Sequence, residues 1–266
     1  CLNMIHKRWN KQKFTSQHGQ DWFLFVNYFH HIEKGFYLDI GANHYKDLSN
    51  TWFLDVCLGW DGICAEPDPD YGELLRQHRS CKVINTCVDS EARTMALQAA
   101  GIAIGHMVTL DKKNEQGKVL KCTTMHNIIK DNNITHIDFF TLDVEGHEMH
   151  VLKTMPEEAD GLTIDMILLE NDKPVDEVSK CLVGNFLRFP FWNRGYGLVT
   201  YFGAPSGDDL WVNLRQPHMW RTHLDHGRNI KRMEASRFNI YRNSQFYGEE
   251  KKNLTQKFLR RFNWTR

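Results

Sequence analysis

No stretch of this sequence reaches the roughly 18–20 consecutive apolar residues that span a bilayer, so no membrane-crossing helix is expected in this chain. The first residues, CLNMIHKRWNKQK, lack the apolar centre of a signal peptide; a start at Cys1 leaves room for an anchor or signal upstream. The seven cysteines (Cys1, Cys57, Cys64, Cys81, Cys87, Cys122 and Cys181) form no Cys-x-x-Cys pair and no Cys/His cluster at zinc spacing. Cys57, Cys64 and Cys87 lie in apolar stretches and read as small core residues, with a single disulfide still compatible. Two compartments therefore stay open, the cytoplasm or, behind an upstream anchor, the lumen of the Golgi. Sequons at Asn133, Asn253 and Asn263 permit glycosylation, although chance supplies such triplets almost as readily. No internal repeat is visible.

Net charge is absent too, but its balance is uneven. Residues 1–20 carry four cations and no acid, and residues 216–266 carry twelve Lys and Arg against four acids. The stretch between them is acidic, with 17 cations against 29 acids. Basic ends on an acidic body suit an anionic acceptor, a membrane surface or nucleic acid; they equally suit tails folded back on the body. Only these ends hint at nucleic acid. With 266 residues, 41% of them apolar, the chain can build one large α/β domain with appendages.

The most informative absence lies in "GFYLDIGANHYKDLSNTWFLDVCLGWDGICAEPDPDY", Gly35 to Tyr71. FYLDI (36–40) reads as a buried strand, GICAE (62–66) as a second, and KVINTCV (82–88) as a third. The segment before FYLDI, DWFLFVNYFHHI, is an amphipathic helix, and PDPDYGELLRQHR is another with Pro and Asp in its first turn. Leu48, Trp52 and Val56 recur at helical spacing and predict a helix laid on the sheet. Residues 90–121 are less regular, with weak strand signals such as GHMVTL. A short helix follows, with Met125, Ile128 and Ile129 facing inward, then strands at 136–146 and 162–171, a helix at about 176–187 and a closing pair, YGLVTYF and DLWVNL. Strands alternating with helices predict a mostly parallel, seven-stranded sheet covered on both faces.

After the first strand, a pyrophosphate-binding chain would show G-x-G-x-x-G; here the loop is Gly41-Ala42-Asn43-His44-Tyr45-Lys46. A dehydrogenase is thereby disfavoured. Glu66, ending the second strand about 25 residues on, is placed to accept both hydroxyls of a ribose. A nucleoside without phosphates fits both observations, and S-adenosylmethionine is one. Asp39 can meet its ammonium, and the Gly41 backbone its methionine chain.

YLDIGAN, SNT, GWDGICAEPDPDY, KVINTCVDS and IDFFTLDVEGHEMHVLK, in this order, resemble the FkbM family of S-adenosylmethionine-dependent methyltransferases over roughly residues 16–215. The resemblance implies a Rossmann-like methyltransferase fold and O-methylation of sugars or other hydroxylated compounds. It divides the chain into a helical lead-in (1–34), an FkbM-like domain (35–215) and a basic extension (216–266). Carried over by position, Asp39, Gly41 and Asn43 line the methionine end of the cofactor, Glu66 the ribose and Asp89 the adenine amino group.

Asp143, Glu145, His147, Glu170, Asn171 and Asp172 stand at the ends of strands four and five. Asp143, Glu170 and Asn171 resemble the ligand set of magnesium-dependent O-methyltransferases, and Mg²⁺ or Mn²⁺ would take such hard oxygen donors. His147 is then the general base, with His44 a lesser candidate. The alternative gives Asp143 and Glu145 to capping the next helix, with Glu145 holding the strand-four turn. Trp192, Tyr196, Tyr201, Trp211 and Trp220 can stack on sugar rings or fill the core. A second functional class stays open as well: an FkbM-like module that binds or traffics without catalysis.

Overall fold

The structure is a computed structural model in which residues 14–17, 19–30, 32–99, 105–109, 118–156, 161–171, 196–201 and 207–213 are described. Their strands are β1 (Phe36–Ile40), β2 (Asp61–Ala65), β3 (Lys82–Ile84), β4 (Cys87–Val88), β5 (Thr94–Ala99), β6 (Gly105–Thr109) and β7 (Lys118–Thr123). There follow β8 (His136–Ile137), β9 (Phe139–Leu142), β10 (Thr163–Ile164), β11 (Met166–Asn171), β12 (Tyr196–Tyr201) and β13 (Gly207–Asn213). The helices are α1 (Gln20–Leu24, continued by a π-helical turn, Phe25–Phe29), α2 (Pro69–His78), α3 (Met125–Asp131) and α4 (Glu148–Leu152).

The central sheet runs β12-β13-β11-β9-β1-β2-β3. Neighbours from β11 to β3 are all parallel, and β13 runs antiparallel to both β11 and β12. Strand alternation divides the core in two. Leu38, Ile40, Phe140 and Leu142 face Met125, Ile128, Ile129, Val151 and Leu152 of α3 and α4. Tyr37, Cys64, Phe139 and Met166 face the lead-in through Phe23, Leu24, Tyr28 and Phe29, with Leu75 of α2 beside them. Both faces being covered, the strands read as near-continuous apolar runs. This is the expected mostly parallel α/β architecture.

Local chemistry sets the helix starts. Asp68 accepts from the Asp70 N–H at 2.8 Å with Pro69 at the first helical position of α2, and Thr124 accepts from Asn127 N–H at 3.1 Å before α3. The lead-in is tied down by buried Asp21, which accepts from Thr15 N–H (2.6 Å) and Ser16 Oγ (2.5 Å). Gln20 reaches across to donate to Asp208 of β13.

Several expectations need correction. Leu48 and Val56 are exposed, 53% and 45%, and the buried face of that segment belongs to Phe53, Leu54, Asp55 and Cys57. Its Phe53–Cys57 turn is π-helical, and that wider winding removes Val56 from the sheet-facing side. The strand expected at 82–88 is two strands in two sheets, since β4 pairs with β7 in a second, four-stranded sheet of order β4-β7-β5-β6. That sheet occupies the less regular span, and the weak strand signal at GHMVTL is its strand β6. Strand four is interrupted at Asp138, between β8 and β9, and Asp165 interrupts the neighbouring strand between β10 and β11. Cys64 and Cys87 are not simple core thiols: Cys64 is joined to Cys81 and Cys87 to Cys122, whereas Cys57 is buried and belongs to neither bridge, as expected. The helix at 176–187 and the extension 216–266 lie outside the described residues. Among the described residues no helix is long and apolar enough to cross a membrane.

Candidate active site

Because β2, β1, β9 and β11 are parallel, their carboxyl ends share one edge, and most sequence-derived candidates stand there. At the end of β1 the chain turns through Gly41 at φ +84°, and Gly41 and Ala42 both donate to Ala65 O, at 2.9 and 3.2 Å. Asn43 follows at φ +52°, its N–H donating to Glu66 Oε2 at 2.7 Å. The Asp68 N–H donates to Glu66 Oε1 at 2.7 Å. Each Glu66 oxygen thus keeps acceptor capacity while its orientation is fixed from two sides. Burial raises its pKa to about 7, against those two hydrogen bonds, with the charges of Asp68 and Asp39 adding to the rise. Asn43 is therefore a backbone partner of Glu66.

Asp39 is buried at the end of β1, and its Oδ2 accepts from Thr51 Oγ1 at 2.5 Å. Burial raises its pKa, while Arg79 opposes that rise. Arg79, at the carboxyl end of α2, has a fully buried side chain. It donates to Asp55 Oδ2 (2.9 Å), the Tyr37 hydroxyl (3.0 Å), Thr51 Oγ1 (2.8 Å), Ser49 Oγ (3.3 Å) and Tyr45 O (3.2 Å). Asp55, although partly desolvated, is held below the usual carboxylate range by Arg79 and by bonds from Tyr37 and Ser80. This buried cation beneath the first loop was not legible in LLRQHR, which reads as a basic helix end. Nor was Asn50 of the SNT triplet singled out: its Nδ2 donates to Thr141 Oγ1 at 3.4 Å, and its Oδ1 is buried with no hydrogen bond.

Across the edge, Asp143, Glu145 and Glu170 place one carboxylate oxygen each within 4.8 Å of one another. Asp143 and Glu170 share a hydrogen bond, and burial together with this crowding drives the Asp143 pKa far above the carboxylate range. Burial and the neighbouring Glu145, Glu148 and Asp208 raise Glu170 to about 7. Glu170 Oε2 is buried with no hydrogen-bond donor. A cation would relieve this repulsion and meet that oxygen, so the residues present fit a divalent ion. Glu145 adopts φ +53°, a conformation that costs a non-glycine residue energy and here turns the chain three residues beyond β9. Glu145 is a third carboxylate beside Asp143 and Glu170. Asn171 closes β11 in register with Gly207, and its side chain lies outside the description. The strand-four turn is held by Glu148, whose Oε1 accepts from Val144 N–H (3.1 Å) and Gly146 N–H (3.0 Å).

His147 precedes α4, its ring stacked on His150 at 5.0 Å. His150 Nδ1 lies 3.4 Å from Asp89 Oδ1. Asp89 is fully buried, accepting from Ser90 N–H and Arg93 Nε, both at 2.6 Å, and these contacts lower its pKa in spite of the burial. The structure therefore gives Asp89 protein partners on both oxygens. His44 Nδ1 accepts from Asp47 N–H at 2.9 Å, so that nitrogen shapes the first loop. A second candidate metal group, His136, Asp138 and Asp165, stands at the opposite end of the strands. Tyr196, Tyr201 and Trp211 fall on β12 and β13 with side chains outside the description, and Trp192 and Trp220 lie outside the described residues altogether.

The family model described as "Methyltransferase FkbM domain" matches residues 39–196, from the last polar residue of β1 to the first of β12. No curated protein matches. Among solved structures, the METTL16 MTase domain is similar at 13% identity and a TM-score of 0.42, over 74% of this chain and 66% of that one. A TehB-like SAM-dependent methyltransferase from Corynebacterium glutamicum is similar at 10% identity and 0.38, over 80% of this chain and 94% of that one. A methyltransferase from Pyrococcus furiosus gives 13% and 0.34, over 73% and 82%. The chain thus spans just under two thirds of the METTL16 domain.

Proposed function

We propose a reaction for a chain that belongs to the FkbM methyltransferase family: transfer of the methyl group of S-adenosylmethionine to a hydroxyl of a glycan or small hydroxylated metabolite. The family implies the methyl donor. The acceptor, the O-specificity and assistance by a divalent ion are our reading of the site. The observation that carries it is the shared edge: Glu66, held by two backbone N–H groups, stands at the end of β2, while Asp143, Glu145 and Glu170 converge two and three strands away.

When bound, S-adenosylmethionine supplies an electrophilic methyl group and leaves as the neutral thioether. A divalent ion held by Asp143, Glu145 and Glu170 would lower the pKa of an acceptor hydroxyl. The protein's own part is positioning and proton removal. Glu66 accepts from the ribose hydroxyls. Asp39, fixed by Thr51, faces the ammonium end, and the buried Asn50 Oδ1 offers a further acceptor nearby. His147 takes the hydroxyl proton as the acceptor oxygen bonds to the methyl carbon, and the ring of His150 supports it. The products are the methyl ether, the thioether and one proton, so charge and atoms balance.

The test uses S-adenosylmethionine labelled in its methyl group, with Mn²⁺ present, and a panel of glycans and small polyols. Label in an ether stable to mild base supports the reading. Label confined to amines, carboxylates or RNA would overturn the acceptor class, and a protein that binds no S-adenosylmethionine in calorimetry would overturn catalysis.

A further inference from the structure

Two pairs of cysteines distant in sequence meet in this fold, Cys64 with Cys81 and Cys87 with Cys122, with Cα atoms 6.0 and 4.4 Å apart. Both separations lie within the range a disulfide needs. The first pair joins β2, one residue before Ala65 and two before Glu66, to the loop before β3. The second joins β4 to β7 along their parallel pairing. Two structural disulfides in one domain form and persist in an oxidising compartment, not in a reducing cytosol.

A separate observation concerns Asn133-Ile134-Thr135. Asn133 is exposed in the turn between α3 and β8 at φ +52°, and Thr135 is exposed beside it. Asn133 N–H donates to Lys130 O at 3.1 Å, and Ile134 N–H to Ile129 O at 3.0 Å, so the turn is built by the backbone and both sequon side chains are left at the surface. The turn sits at the amino end of the parallel strands. β9 then carries the chain from Phe139 to Leu142 before Asp143, a rise of roughly 13–16 Å from Asp138. A glycan on Asn133 therefore projects from the end of the sheet opposite Glu66 and the acidic trio.

We propose that this chain folds in the lumen of a eukaryotic secretory route and carries an N-linked glycan on Asn133. The acceptor is the Asn133 side-chain amide, and the donor is a lipid-pyrophosphate-linked oligosaccharide. The amide nitrogen bonds to the reducing-end carbon of the oligosaccharide and loses a proton, and the lipid pyrophosphate departs with the electrons of the broken C–O bond. Each disulfide forms by exchange with an oxidised dithiol partner, which is reduced as two cysteine thiols become one S–S bond and their two protons and two electrons move to that partner. The remaining sequons, Asn253 and Asn263, lie outside the described residues. The proposal is independent of which hydroxyl the enzyme methylates.

The experiment expresses the full chain behind a cleavable signal in a eukaryotic secretory host, then digests the secreted protein without reduction for mass spectrometry. The expected result is a glycopeptide covering Asn133 that an amidase for N-glycans converts to Asp, together with linked Cys64–Cys81 and Cys87–Cys122 peptides. Asn133→Gln and Thr135→Ala should each remove that glycan, and Thr135→Ser should keep it. Thr135→Ala leaves the positive-φ residue in place, so its loss of glycan is not a folding defect. The glycan-free variants should bind S-adenosylmethionine within about twofold of the parent. Unmodified Asn133 in secreted protein, or alkylation of Cys64, Cys81, Cys87 and Cys122 without reduction, would overturn the proposal.

Discussion

A Cβ atom placed on Gly41 would sit 1.7 Å from the carbonyl oxygen of Asp143. The ends of β1 and β9 therefore approach so closely that only hydrogen fits between the residue that starts the first loop and the residue that starts the acidic trio. Gly41 also stands at φ +84°, where an alanine is strained even in open space. Gly41→Ala should destabilise the fold by roughly 3–5 kcal/mol, combining the left-handed strain with displacement of a backbone carbonyl. Urea unfolding followed by far-UV circular dichroism measures this, and a loss below 1 kcal/mol would mean the two strand ends are further apart.

Arg79 and Asp55 form a buried ion pair to which Tyr37, Thr51 and Ser80 all contribute. Removing one partner leaves an uncompensated buried charge, so Arg79→Met should cost about 3–5 kcal/mol. Pairing it with Asp55→Asn should return a good part of that loss. Additive losses in the double variant would show that the two side chains do not interact.

Glu66→Gln keeps the shape of the side chain and removes its charge. Cofactor affinity should fall by about 1–3 kcal/mol, since hydrogen bonds from ribose hydroxyls to a carboxylate are charge-assisted. Calorimetry with S-adenosylmethionine decides it. An unchanged dissociation constant in a folded variant removes Glu66 from the site.

The stability of the ligand-free, metal-free protein should depend on pH in a definite direction. Burial raises both Glu66 and Glu170 to about 7 from an ordinary 4.5. A group whose folded pKa is raised contributes stability that is complete below the unfolded value and lost as pH rises through the folded one. Thermal stability should therefore fall between about pH 4.5 and 7 and then level. The Glu66 share is on the order of 3 kcal/mol, and Glu66→Gln should remove that share of the slope. A midpoint that climbs from pH 5 to 7, with other carboxylates accounted for by the variant, would contradict the burial of this side chain.

Divalent-ion binding should separate the trio from His147. Glu145→Gln should weaken Mn²⁺ binding at least tenfold, and stripping metal with EDTA should abolish methyl transfer while sparing S-adenosylmethionine binding. His147→Gln should instead leave Mn²⁺ affinity intact and lower kcat by roughly 10²–10⁴. Full turnover in excess EDTA would dismiss the ion and keep the methyltransferase.

What the sequence by itself determined is what local chemistry determines. Apolar runs of strand length, Pro69 after Asp68, Thr124 before α3 and the alternation of strands with helices specified a mostly parallel α/β fold, because hydrophobic periodicity and capping act over a few residues. The position of Glu66 after β2 and of Asp143 after β9 was legible for the same reason: in a parallel sheet, strand ends share an edge. Only the tertiary structure decided which groups meet there. Arg79 reads as a helix-end cation and lies buried against Asp55, 24 positions earlier; Glu145 joins Asp143 and Glu170 through a positive-φ turn; Glu148 holds the turn after β9. The two disulfides, the exposure of Leu48 and Val56, and the separation of β3 from β4 depend likewise on long-range packing. Contacts between residues far apart in sequence carry no periodic signal, so the fold was visible along the chain and its electrostatics only across it.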